Sequence, residues 1–97
     1  MNREERFTEV FARDYREVYR FLLRRTDPDV AREIAQETFT TAWQRLEKVP
    51  DDPEASRAWL YTVARNHLLH HNRAHQRRAA LAIRLAGEPH FAGESPD

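Results

Sequence analysis

The chain has no cysteine, one methionine and two glycines among its 97 residues, and each shortage excludes something. Without cysteine there is neither a disulfide framework nor thiolate chemistry. With so little glycine there is no Gly-rich phosphate loop, and no paired nucleophile and base stands out as a catalytic group. No apolar run approaches the roughly 18 residues that a membrane span needs. The opening stretch, MNREERFTEV, carries charge where a secretion signal has an apolar centre. These absences read as a cytosolic chain that is not an enzyme. At this length one domain is expected, burying between about 60 and 70 percent of its unfolded surface around one modest core.

A further shortage is local. Net charge is zero, yet residues 1–54 hold thirteen acids and ten bases, residues 55–87 hold six arginines and no acid, and residues 88–97 hold three acids. The middle block is a cation by itself, so a polyanion is the expected partner, although a neutral total conceals it.

What is present favours helices: Ala, Leu, Arg and Glu are common and no β-type alternation occurs. A first helix is predicted from about residue 3 to 25. Asn2 and Glu5 form a capping box, and Phe7, Val10, Phe11, Tyr15, Val18, Phe21 and Leu22 form one face to be buried. Asp27 caps a second helix, with Pro28 in its first position and Asp29 and Glu33 near the positive end of the dipole. That helix is predicted to last to about Lys48. Ala31, Ala35, Phe39, Ala42 and Leu46 make its inward stripe, widened by Ile34 and Trp43. The loop VPDDPEAS follows, residues 49–56, where two prolines forbid a continuous helix. A third helix begins between Pro53 and Arg57 and extends to Leu85, with Gly87 as a left-handed cap. EPHFAGESPD, residues 88–97, has the composition of a linker. The expected fold is all-α, a compact three-helix bundle with a long basic third helix.

On that third helix, a rotation of about 100° per residue puts Asn66, His70, Arg73 and Arg77 on one narrow face, with Arg65 and Arg78 on its flanks and Trp59 and Thr62 continuing it toward the N-terminus. A nucleic-acid strand laid there would meet cations, hydrogen-bonding groups and an aromatic. A merely solvated Arg-rich face is the competing reading. On the second helix, Glu33, Glu37, Thr40 and Gln44 repeat the same spacing with Gln36 beside them and no base among them. This suits a protein partner rich in arginine, again against simple solvation. Trp43 and Trp59 border apolar stripes and read as core. Tyr61 stays open between the core edge and the nucleic acid. His67, His71 and His75 have chelate spacing, but no cysteine or suitably placed carboxylate completes a site, so no metal or other cofactor is expected.

Two words in order, DVAREIAQETFTTAWQRL and RAWLYTVARNHLLHHNRAHQRR, resemble domain 2 of the bacterial sigma factors of the extracytoplasmic function group, group IV, over roughly residues 7–80. The resemblance implies a three-helix domain over residues 1–80, with residues 81–97 as the helix end and the start of a flexible interdomain linker. It implies that the second helix docks on the coiled-coil clamp helices of the largest catalytic subunit of core RNA polymerase. Glu33, Gln36 and Glu37 would be the polar contacts there, with Thr40 and Gln44 as weaker ones. The loop of Val49, Pro50, Asp51, Asp52, Pro53, Glu54, Ala55 and Ser56 would help enclose a base flipped from the non-template strand of the minus-ten promoter element. Arg57, Thr62, Arg65, Asn66, His70, Arg73, Arg77 and Arg78 would bind neighbouring bases and phosphates, with Asn66 as the polar base reader. Because Asp51, Asp52 and Glu54 would repel phosphate, largely backbone atoms of the loop are expected to line the pocket.

The resemblance further implies an anti-sigma protein as a partner and a cytoplasmic place, on the nucleoid when bound to polymerase. A complete member carries a second helical domain for the minus-thirty-five element. The chain stops at Asp97 within what reads as linker, which is taken as an isolated fragment in preference to a truncated gene. Two other readings compete: a helical module that binds a regulatory protein without reading DNA, and nonspecific RNA binding.

Overall fold

The structure, a computed structural model, describes residues 1–87, so the stretch expected to be linker, 88–97, lies outside the described residues. Three helices follow one another: α1 (Arg3–Leu23), α2 (Pro28–Gln44) and α3 (Pro53–Gly87), with a single 3₁₀ turn at Leu46–Lys48. The all-α three-helix fold expected from the sequence is the one adopted.

Local chemistry starts each helix. The Asn2 side chain accepts the Glu5 N–H at 2.8 Å, and the Glu5 carboxylate accepts the Asn2 N–H at 3.1 Å, completing the capping box. The Asp27 carboxylate accepts the Val30 N–H at 2.9 Å ahead of Pro28. α3 begins at Pro53, the early end of the predicted range, so the second half of the 49–56 segment is helical. Asp52 accepts the Ala55 N–H at 3.0 Å through its side chain and the Ser56 N–H at 2.8 Å through its carbonyl, so Pro53, Glu54, Ala55 and Ser56 already form the first turn of α3.

α2 stops at Gln44, short of the predicted Lys48, because Arg45 leaves the helical region with φ −120° and ψ 40°. The tighter turn that follows has a physical use. At three residues per turn, positions three apart eclipse, so Leu46 and Val49 fall on the same side. Both are buried, at 2% and 3% exposure.

The core is built from Val10, Val18 and Leu22 of α1, Ala31, Ile34, Ala35, Phe39 and Ala42 of α2, Leu46 and Val49, and Leu60, Ala64 and Leu68 of α3. Three alanines on α2 let both neighbours approach closely, and each fully buried large aliphatic contributes about 1.5–3 kcal/mol. Two predicted core residues are instead peripheral: Phe11 is 41% and Trp43 38% exposed. They lie where α1 and α2 meet, with no third layer to cover them.

α3 has 35 residues and is therefore about 52 Å long, well beyond the reach of its shorter neighbours. Its buried positions are Ser56, Leu60, Ala64 and Leu68. From His75 to Gly87 every residue is exposed, so the bundle is compact only around the first half of this helix. Gly87 stays helical and does not take the left-handed cap conformation expected of it.

Candidate functional site

The outer face of α3 presents Thr62, Asn66, His70, Arg73 and Arg77, all exposed. They lie within about 40° of one line along the helix, and Arg65 and Arg78 flank them. Arg84 was not singled out from the sequence, yet it lies five full turns beyond Asn66 at 3.6 residues per turn and extends the same line. No carboxylate occurs on α3 after Glu54. Trp59 is half-buried at the head of the stripe, so it serves the core edge while leaving part of its ring accessible.

Arg57, which the sequence reading grouped with the DNA-binding residues, does not belong to this face. It points to the opposite side, where its Nε donates to Asp14 Oδ1 at 3.1 Å. Asp14 is fully buried, and Arg13 reaches it through Nη2 at 3.0 Å while also donating to Ser56 Oγ at 3.0 Å. The hydrogen bond and charge of Asp14 raise the Arg57 guanidinium above its ordinary value. Burying a carboxylate costs several kcal/mol in lost hydration, and two guanidinium partners offset that cost. One sequence signal was visible: Asp14 sits in phase with Val10, Val18 and Leu22, in the middle of the apolar stripe of α1.

The segment expected to form a base pocket is only partly available. Val49 and Ser56 are buried, and Pro50 is half-buried. The Asp51 carboxylate is bonded by Arg6 at 3.1 Å, and Asp52 is the helix cap described above. Two of the three loop acids therefore have structural partners. Between the loop and α1 lies a cavity of about 300 Å³ lined by Arg6, Glu9, Val10, Arg13, Pro50 and Asp51, with Met1 at its edge.

On α2, Glu33, Gln36, Glu37, Thr40 and Gln44 are exposed and form one surface. This surface adjoins the basic face of α3. His67 lies on the seam, its Nδ1 3.4 Å from Glu37 Oε1 and its Nε2 2.9 Å from Thr41 Oγ1. On the α3 side of that seam, Gln44 and Arg45 share a groove of about 470 Å³ with Trp59, Thr62, Asn66 and His70. Gln44 is thus common to both surfaces. Arg45 went unremarked in the sequence because its approach to α3 depends on α2 ending one residue earlier.

The other edge of the α2 face meets an aromatic groove between α1 and α2. Phe7, Phe11, Tyr15, Phe39 and Trp43 line it together with Gln36 and Thr40. Phe11 stacks on Tyr15 at 4.8 Å, Trp43 meets Phe7 edge-on at 5.5 Å, and the Arg3 guanidinium covers the Trp43 ring at 4.6 Å. Tyr61, left open by the sequence, stacks on Phe21 of α1 at 4.7 Å and closes the core edge. Among the described residues, His67, His71 and His75 gather no metal-ligand set, and no helix is long and apolar enough to cross a membrane.

Comparison with known proteins completes the picture. Residues 10–78 match the family described as Sigma-70 region 2. The chain is 41% identical over 58 residues to the ECF RNA polymerase sigma factor SigL of Mycobacterium tuberculosis, covering 59% of this chain and 33% of that protein. It is 32% identical over 80 residues to the ECF RNA polymerase sigma factor SigM of Bacillus subtilis, covering 81% of this chain and 48% of that one. The chain thus spans a third to about half the length of these curated relatives. No solved structure matches it significantly. The matched span takes in the core of the bundle and the faces of α2 and α3 as far as Arg78, and the chain belongs to the Sigma-70 region 2 family, with homology to ECF sigma factors.

Proposed function

We propose that the chain is the promoter-specificity domain of an ECF sigma factor. It docks on core RNA polymerase through α2, holds the non-template strand of the minus-ten element along α3, and stabilises the melted state by capturing flipped bases. The observation that carries this reading is the exposed, carboxylate-free line of Thr62, Asn66, His70, Arg73, Arg77 and Arg84. Extruding a base costs a few kcal/mol of stacking, which enclosure of the base and cationic contacts to the separated strand offset. Asn66 and His70 offer donors and acceptors to base edges, whereas the arginines supply charge without sequence information. Nothing in this role requires a catalytic group.

The docking surface combines a polar face with an apolar anchor. Glu33 and Glu37 suit a basic helical partner such as the polymerase clamp helices, and the aromatic groove beside Gln36 and Thr40 gives that partner a desolvated centre. An anti-sigma protein would compete by covering these same faces. Residues 1–80 form the working module in this reading, and Arg84 carries its cationic line on into the end of α3.

The exposed aromatic groove also favours a second reading, a protein-interaction module that reads no DNA. One experiment separates them: core polymerase charged with this chain is offered a pool of randomised single-stranded non-template oligonucleotides. The proposal expects enrichment of a short motif, lost in Glu37→Arg, which fails to dock, and altered in Asn66→Ala, which docks but misreads one position. Retention on polymerase without enrichment of any sequence, even at low salt, supports the second reading and contradicts the first.

A further inference from the structure

Arg6, on α1, reaches three acceptors of the segment that joins α2 to α3. It donates from Nη1 to the Leu46 carbonyl at 2.6 Å, and from Nη2 to the Val49 carbonyl at 2.5 Å and the Asp51 carboxylate at 3.1 Å. These acceptors bracket the whole stretch in which the backbone leaves the 3₁₀ turn and bends toward α3. A guanidinium holds its donors in a rigid planar fork, so satisfying three acceptors at once fixes their relative positions. An ammonium, a point charge on a flexible stem, does not impose that geometry. The Arg6 side chain is only 25% exposed, so its own position is restrained by packing.

The contact also answers an electrostatic difficulty. Asp51 is 97% exposed and would repel any phosphate brought to the loop, but the Arg6 charge beside it cancels much of that field. Two turns farther along α1, Arg13 holds Ser56 at the other end of the bend. The loop is therefore splinted at entry and exit by two arginines of one helix.

We infer that Arg6 is a positioning residue for base capture: it sets the shape of the 49–52 loop without touching the nucleic acid. This role rests on the reading of that loop as part of the base site. The test compares wild type, Arg6→Lys and Arg6→Gln on core polymerase, using one single-stranded oligonucleotide enriched by the wild-type complex and its variants carrying an abasic residue at each position in turn. In wild type, loss of the loop-bound base weakens binding by about tenfold or more. In both Arg6 variants that penalty shrinks to within about twofold, while the penalty at the base whose effect disappears in Asn66→Ala persists, since the α3 face is untouched. Amide hydrogen exchange quickens at residues 49–56 alone. An unchanged loop-base penalty in Arg6→Gln overturns the inference, and so does equal loss of both penalties, which would mean that Arg6 merely supports the bundle. A wild-type complex with no abasic penalty anywhere overturns base capture itself, and this role with it.

Discussion

Asp14 shows what single residues contribute here. It is a carboxylate with no exposed surface, and Arg13 and Arg57 occupy the directions in which water would otherwise solvate it. Asp14→Ala leaves a small cavity and removes the partner of two half-exposed guanidinium groups, which regain some hydration. The expected cost is about 2–3 kcal/mol, toward the lower end for a broken buried pair because those two cations are not fully enclosed. For a domain of this size that lowers the Tm by roughly 10–20 °C, against a degree or two for Arg73→Ala on the open face, as read by thermal circular dichroism. The contrast between Arg57 and Arg73 also marks a limit of composition. Both lie in the acid-free block and look alike by type, but Arg57 is in helical phase with Leu60 and Ala64 and Arg73 is not. Phase alone would have separated them. Of the two partners of Asp14, Arg13 is its neighbour in sequence but Arg57 lies 43 residues away, and no local pattern announces a pairing at that distance.

At the scale of elements, helix boundaries follow side chains that act within three or four residues, and those were readable: Asn2 with Glu5, and Asp27 with Pro28. Where a boundary depended on packing, reading along the chain fell short. α2 ends early because Leu46 and Val49 are drawn together into the core. α3 divides at Leu68 into a packed half and an unpacked half. Ala, Leu and Arg favour the helix there, yet an isolated stretch of this length is marginal without packing. Deleting residues 79–97 is therefore expected to shift the Tm by less than about 2 °C, since none of the removed described residues is buried. The same deletion removes Arg84 from the stripe and lowers the salt dependence of single-strand binding by about 0.7 of a unit. A large loss of stability would instead show that the second half of α3 rests on the bundle.

For the whole molecule, the zero net charge averages over faces of different character that meet along one seam. The polar face of α2 and the cationic face of α3 share Gln44 and are bridged by His67, so a polymerase helix and a DNA strand would occupy neighbouring ground. That adjacency could not be read along the chain, because it depends on how α2 and α3 are rotated against each other over a core of small residues. Periodicity showed which residues share a face but not which faces adjoin. The most direct measurement is the salt dependence and base preference of single-strand binding by the polymerase-bound chain, compared between Arg73→Ala and Asn66→Ala. Arg73→Ala should weaken all sequences alike and reduce the slope of log K against log salt by about 0.7, whereas Asn66→Ala should keep the slope and flatten the preference at one position. If neither substitution alters slope or preference, the outward face of α3 is not where the nucleic acid binds.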